Sequence, residues 1–227
     1  MRKLNRPPAP DCLAKMDYRA TKWKYFEQPC KEAVRDALRT MSAHPEGYLC
    51  NYCEGPLEGI SNYYSIEHLY PRSRYKNKTF EWENLYLSCR NQAHCDQFKD
   101  DSKGQEYDPA DLIRPDTEDP DKFFNFFTTG LVAPRKDLNA EDKRRACVTI
   151  EVLNLNADDL ITQRALLGEM LTSITEMEMS SSDTDVLEAV IAAGPEKLAQ
   201  QPFGAVARQF FQNSRIEQTK PGEKSNV

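Results

Sequence analysis

Four cysteines in the first half of the chain stand where they could share one metal ion. Cys50 and Cys53 are two residues apart in Cys-Asn-Tyr-Cys, and Cys89 and Cys95 form a second cluster. Thiolates at the first spacing can point at a common ion from one tight turn, and zinc takes four such ligands tetrahedrally. The second pair encloses five residues, so Arg90-Asn91-Gln92-Ala93-His94 must bulge out of the site. Unpaired buried thiols, or a site in which His94 replaces one cysteine, are the alternatives. Cys12, Cys30 and Cys147 stand alone in helical-looking surroundings and read as small buried side chains. Seven cysteines with no export signal point to thiols or metal ligands rather than to a disulfide framework.

A second group of reactive residues lies between and beside those pairs. Residues 65–75 read SIEHLYPRSRY, residues 80–89 read FEWENLYLSC, and CDQFK begins at Cys95, so the cysteines frame Glu67, His68, Asn84 and Asp96. On a helix starting at Cys95, Asp96, Lys99 and Lys103 share one face, which presents a hard carboxylate ligand and two cations to the same space. That combination suits a phosphodiester bound to a divalent ion. Glu67 and His68 are adjacent, and a regular strand sends neighbours to opposite faces, so a bend is expected there. A lone histidine is more often a structural hydrogen-bonding residue than a base; its framing by metal ligands favours the catalytic reading. Arg72, Arg74, Lys76 and Lys78, with Tyr75 among them, form a strip suited to backbone phosphates, the plain alternative being a solvated basic loop. Phe80 and Trp82 read as core.

Around these residues the chain divides by composition. Residues 11–42 have the apolar spacing of helix, broken in two at Pro29. Residues 47–104 are loop-rich, with a strand-like run at 63–69 and a helix from about 95 to 103. That segment has few aliphatic residues to bury and needs a metal or a neighbouring domain to hold its shape. Residues 108–121 are acidic with three prolines, the composition of a linker. A hairpin is expected around Thr128-Thr129-Gly130, then helices over 140–153 and from 158, the latter with Leu160, Leu167, Leu171 and Ile174 in a stripe. A Ser-rich break at 180–183 precedes more helix, and 218–227 reads as a frayed tail. The fold class is α+β, mainly helical, in three parts: an N-terminal helical arm (1–45), a small zinc-supported core (46–104) and an acidic helical region (105–227).

Charge follows the same division. The net formal charge of the 227 residues is −6. Residues 1–45 hold ten Lys/Arg against five Asp/Glu, 46–104 hold seven against nine, and 105–227 hold thirteen against twenty-two. A phosphate-binding face therefore belongs to the first half, and the last region suits a protein partner better than nucleic acid. The longest run without Asp, Glu, Lys or Arg is 123–134, too short to cross a bilayer, which needs about 20 apolar residues. With no apolar segment after the basic start, a cytoplasmic location is expected.

Glu67-His68, Asn84 and Asp96 resemble, in order, the motif of the HNH, or ββα-metal, nucleases: an acidic residue and His, a central Asn, and a terminal His, Asn or Asp. The resemblance implies a hairpin and helix around one Mg²⁺ or Mn²⁺ ion. It implies His68 as general base, Glu67 and Asp96 as metal ligands, and Asn84 fixing the loop that orients the histidine. Lys99 matches the lysine that commonly follows the last motif residue, and flanking cysteines that bind a structural Zn²⁺ are common in the superfamily. Over more of the chain, MRKLNRPPAP, the Cys-x-x-Cys-Glu stretch, IEHLYPRSRY, WENLYLSC and the later G-L-V-x-P and L-N-L-N-x-x-x-L-x-x-x-R blocks are similar to the PtuB-like HNH subunit of Septu-type anti-phage systems. That implies an ABC-type ATPase partner (PtuA-like), a retron reverse transcriptase complex in some members, and a nucleic-acid substrate, DNA or RNA. The rival readings are a non-catalytic zinc-ribbon adaptor and a redox or metal sensor using Cys50 and Cys53.

Overall fold

The computed structural model describes residues 1–26, 28–57, 64–101, 106–180 and 196–219. Lys103, most of the 180–183 break and residues 220–227 of the tail lie outside the described residues. The architecture is α+β, with three two-stranded antiparallel sheets set among helices in the described residues. The segment 11–42 is less helical than its apolar spacing suggests. It makes two short 3₁₀ turns, Asp11–Lys15 and Trp23–Tyr25, before α1, Gln28–Ser42. Pro29 stands in the first turn of α1, where its missing N–H costs nothing, so it opens that helix rather than breaking a longer one. α1 buries Cys30, Val34, Leu38 and Met41, one stripe at helical spacing.

Cys12 and Cys30, expected to stand alone, are joined in a disulfide across a separation of 18 residues. The chain doubles back through the Trp23 turn and brings the first 3₁₀ turn against α1, a tertiary juxtaposition that local spacing does not encode. The short hairpin β1 (Ala43–His44) and β2 (Gly47–Tyr48) follows α1. β3 (Tyr64–His68) then pairs antiparallel with β4 (Leu85–Cys89), Tyr64 opposite Cys89 and His68 opposite Leu85. α2, Cys95–Asp101, packs back on this pair. Leu85, Tyr86 and Leu87 are all fully buried, so β4 is the centre of the core.

The acidic stretch 108–121 is not an exposed linker. Leu112 and Ile113 are buried, and the Ile113 amide donates to Thr149 Oγ1 at 2.9 Å. Its acids find arginines: Asp111 pairs with Arg144, Glu118 with Arg145, and Asp116 with Arg6. Arg6 lies over the rings of Trp82 and Tyr86 at 5.1 and 4.6 Å and donates to the carbonyls of Trp82 and Leu85. The N-terminal segment thus stitches this strap to β4.

β5 (Phe124–Phe126) and β6 (Val132–Pro134) form the expected hairpin. Gly130 at its tip has φ +86°, and a Cβ there would lie 2.0 Å from the Ile161 carbonyl oxygen, so conformation and space both demand glycine. α3 (Ala140–Val152) starts on an Asn139 cap, followed by α4 (Asp158–Ser180) and α5 (Gly204–Thr219). α5 docks onto the first cysteine turn, where buried Glu54 accepts from the Ala205 amide and pairs with Arg208 and the Met1 amino group. No helix among the described residues is long and apolar enough to cross a membrane.

Candidate active site

The cysteine quartet converges. The sulfurs of Cys50, Cys53, Cys89 and Cys95 lie within 4.8 Å of one another, with Cys50 to Cys95 at 3.8 Å and Cys53 to Cys89 at 3.9 Å. Four ligands about 2.3 Å from a tetrahedral zinc require sulfurs about 3.8 Å apart, so the donor set fits that ion. The amides of Cys89 and Gly55 donate to Cys50 Sγ and Cys53 Sγ, both at 3.4 Å, and such bonds favour thiolate. Bonds from neighbouring thiols hold Cys53 well below the usual thiol range, while burial pushes Cys95 well above it. His94 does not replace a cysteine. Its Nδ1 lies 3.2 Å from Cys95 Sγ and its Nε2 lies 3.2 Å from Asp159, placing it beside the quartet and orienting it.

Residues of β3 and α2 also line a cavity of about 460 Å³. Glu67, His68 and Asp96 all line it, so the two neighbours at the end of β3 do serve one space. Glu67 is 1% exposed and His68 3%. Burial pushes the Glu67 carboxyl well above the usual carboxylate range; Lys99 opposes that and Asp96 adds to it. Asp96 accepts from the Ser65 hydroxyl. Asp100, one turn beyond Asp96 on α2, brings a third carboxylate within 4.8 Å of the other two. Sequence reasoning missed it; the signal was the i, i+4 spacing from Asp96.

His68 is held by its backbone surroundings. Its Nε2 lies 3.0 Å from the Thr79 carbonyl oxygen, which only accepts, so the proton sits on Nε2 and Nδ1 keeps its lone pair. Burial, reinforced by Arg72, pushes its pKa down to about 3, well below the ordinary histidine value of about 6.5 that sequence alone suggests. The imidazole is therefore neutral throughout the physiological range. Trp23 meets it edge-on, ring centroids 4.5 Å apart at 85°, with Phe26 and Phe80 behind.

Asn84 sits at the entry to β4, 2% exposed, and clamps the loop after His68. Its Oδ1 accepts the Tyr70 amide at 2.7 Å, and its Nδ2 donates to the carbonyls of Lys78 at 2.9 Å and Tyr70 at 3.2 Å. Thr79, whose carbonyl holds His68, is the next residue after Lys78. Lys99 is turned inward: it is 2% exposed, with Nζ 3.0 Å from Glu67 Oε1 and 2.5 Å from Asp100. Glu67 and Asp100 raise its pKa against the pull of burial, keeping it charged.

The basic strip divides. Arg72 lines the cavity. Arg74 instead lies 4.8 Å over the Tyr107 ring, Lys78 pairs with Glu81 at 2.8 Å, and Lys76 is exposed outside the cavity. Lys31 and Arg35 of α1 and Arg90 of the bulge complete the cationic lining. Composition placed the phosphate-binding face in the first half of the chain, but not on these side chains, which reach the cavity only through tertiary folding.

No protein-family model matches the chain. Septu protein PtuB of Bacillus thuringiensis is 31% identical over 160 residues, covering 67% of this chain and 53% of that protein. The "Retron Vc95 putative HNH endonuclease" of Vibrio cholerae serotype O1 biovar El Tor is 30% identical over 154 residues, covering 65% of this chain and 69% of that protein. The chain thus spans about half the length of the first relative and about two thirds of the second. By these similarities the chain belongs to the HNH endonuclease family of the Septu PtuB and retron Vc95 proteins.

Proposed function

We propose that this protein is a metal-dependent HNH endonuclease that hydrolyses nucleic-acid phosphodiester bonds, with β3, β4 and α2 as its ββα-metal core. The observation that carries the reading is the one cavity lined by His68, Glu67 and Asp96 and rimmed by Arg72, Lys31 and Arg35. Glu67 and Asp96 would hold Mg²⁺ or Mn²⁺, whose chemistry when bound is Lewis-acid stabilisation of charge on the phosphoryl and leaving oxygens. His68 Nδ1 would take a proton from the attacking water as the new O–P bond forms and the bond to the leaving oxygen breaks; the leaving oxygen takes a proton from solvent water, and the imidazolium returns its own to solvent. The Thr79 carbonyl keeps the imidazole in the tautomer that can do this. Arg72 is one cause of the low His68 basicity, so a phosphate paired with Arg72 would offset part of that suppression as substrate arrives. Cys50, Cys53, Cys89 and Cys95 would hold a structural zinc that contributes folding energy.

The reading extends to an effector of an anti-phage defence complex with a PtuA-like ABC-type ATPase, which rests on the resemblance of the sequence blocks. The acidic region suits that contact, and Leu166 and Met170 on α4 with Leu131 of the hairpin leave apolar side chains 42–55% exposed there. Two measurements test the whole. Single- and double-stranded DNA and RNA are incubated with Mg²⁺ or Mn²⁺ and either wild type or His68→Ala of matched fold and zinc content; equal cleavage excludes the proposed base and favours the adaptor. Leu166→Glu with Met170→Glu is expected to abolish co-purification with the ATPase, and unchanged co-purification removes that surface.

A further inference from the structure

Glu67, Asp96 and Asp100 bring three carboxylates within 4.8 Å of one another beside the cavity that holds His68. Glu67 Oε1 is fully buried yet accepts no hydrogen bond, although the Lys99 ammonium lies 3.0 Å away as an ion-pair partner. Lys99 supplies one cation there, and the remaining lone-pair capacity of this buried oxygen has no donor aimed at it. Asp96 and Asp100 are four residues apart on α2 and so lie on one face, both lining the cavity that contains Glu67 and His68. The carboxylates differ in placement: Glu67 is buried, whereas the Asp100 side chain is 48% exposed, at the edge an ion would enter by.

Charge arithmetic gives Asp100 a part. With both carboxylates ionised, as ligation of a metal requires, Glu67, Asp96 and Lys99 alone sum to −1, and a divalent ion would leave that group at +1 inside the protein. With Asp100 the group sums to −2, which a divalent ion neutralises, leaving Arg72, Lys31 and Arg35 to answer the phosphodiester.

We infer that Asp100 is a third carboxylate ligand of the catalytic divalent ion, adding a hard oxygen to Glu67 and Asp96 in a set that favours Mg²⁺ or Mn²⁺ over Zn²⁺. This rests on the assignment of Glu67 and Asp96 as ligands in the proposed function. The competing role for Asp100 is only to neutralise Lys99, 2.5 Å from it.

Mn²⁺ binding to the zinc-replete full chain separates these. Affinity is measured by calorimetry, and the number of waters on the bound ion by solvent-proton relaxation. For Asp100→Asn the affinity is expected to fall at least about tenfold, since even outer-shell partners cost about 10–100-fold, and the bound ion to carry one more water than in wild type. A fall in affinity with an unchanged water count assigns Asp100 to Lys99 and overturns the ligand role, as does unchanged affinity. Glu67→Gln is measured alongside. If it too binds Mn²⁺ as wild type does, the ion is elsewhere and the underlying assignment fails; if it loses binding while Asp100→Asn does not, only the third ligand fails.

Discussion

Replacing Asn84 by alanine separates orientation from stability at the candidate site. The side chain makes three hydrogen bonds, to the Tyr70 amide and to the carbonyls of Tyr70 and Lys78, while the Leu69 amide bond to the Asn84 carbonyl oxygen survives any substitution. At about 1 kcal/mol each the loss is about 3 kcal/mol of stability. It falls on the loop that delivers the Thr79 carbonyl to His68 Nε2, so the imidazole loses both its position and its fixed tautomer. A misplacement of about 1 Å in a reacting group costs about 10²-fold in rate. Asn84→Ala is therefore expected to cleave about 10²-fold more slowly under single-turnover conditions, at a temperature where urea titration shows it folded. Its ¹⁵N spectrum should show His68 shifting from the Nε2–H tautomer toward a mixture. Asn84→Asp is nearly isosteric and keeps the bond from the Tyr70 amide, but it sets a carboxylate oxygen against two carbonyls, so its rate loss should be at least as large. A folded, zinc-loaded Asn84→Ala that cleaves at the wild-type rate would refute the clamp, whatever its stability.

Three further outcomes follow from the same contacts. Removing zinc with a chelator, or replacing Cys95 by Ser, is expected to abolish cooperative unfolding of the first half of the chain, because the Cys50 turn also carries the Asn51 bonds to Leu87 and Ser42; an unchanged urea transition would show the quartet is not structural. Reducing the Cys12–Cys30 bond opens a loop of 18 residues and should cost about 3 kcal/mol, read as a lower urea midpoint in dithiothreitol that the Cys12→Ser, Cys30→Ser double variant no longer shows. Burial alone would raise the Asp116 carboxyl, but the Tyr86 hydroxyl, Arg6 and Arg114 hold it below its ordinary value. A depressed folded pKa contributes stability that is complete above the unfolded value of about 3.9 and is lost as pH falls through the folded one. Wild type should thus exceed Asp116→Asn by the same urea midpoint at pH 7 and pH 5; a gap that closes over that interval contradicts the pairing.

What the sequence made legible is chemistry whose spacing is local. The Cys50–Cys53 turn, the α2 start at Cys95, and the hairpin around Gly130 each follow from a few neighbouring residues and are present as expected. The site as a whole is less readable because its second wall comes from elsewhere. Trp23, Lys31 and Arg35 lie more than thirty residues before His68 and reach the cavity because α1 packs against β4 and the Trp23 ring packs on His68. Asp100 was hidden in a short acidic run, where nothing but the helix that forms there separates it from Asp101. The low basicity of His68 is likewise a property of burial beside Arg72, not of sequence.

The acidic half shows why composition misleads about partners. Three of its acids are held in ion pairs, Asp111 with Arg144, Glu118 with Arg145 and Asp116 with Arg6, and only the last draws on a cation from outside the region. These bonds turn a segment with the composition of a linker into a strap that buries Leu112 and Ile113. Two consequences follow for a partner. Deleting residues 105–227 would strip the strap from β4 along with any docking surface, so loss of binding by such a truncation would say nothing about the surface itself. The net charge of this half also disfavours nucleic acid without selecting a protein, so the case for a protein contact rests on the exposed Leu166 and Met170 of α4, where point variants can test it.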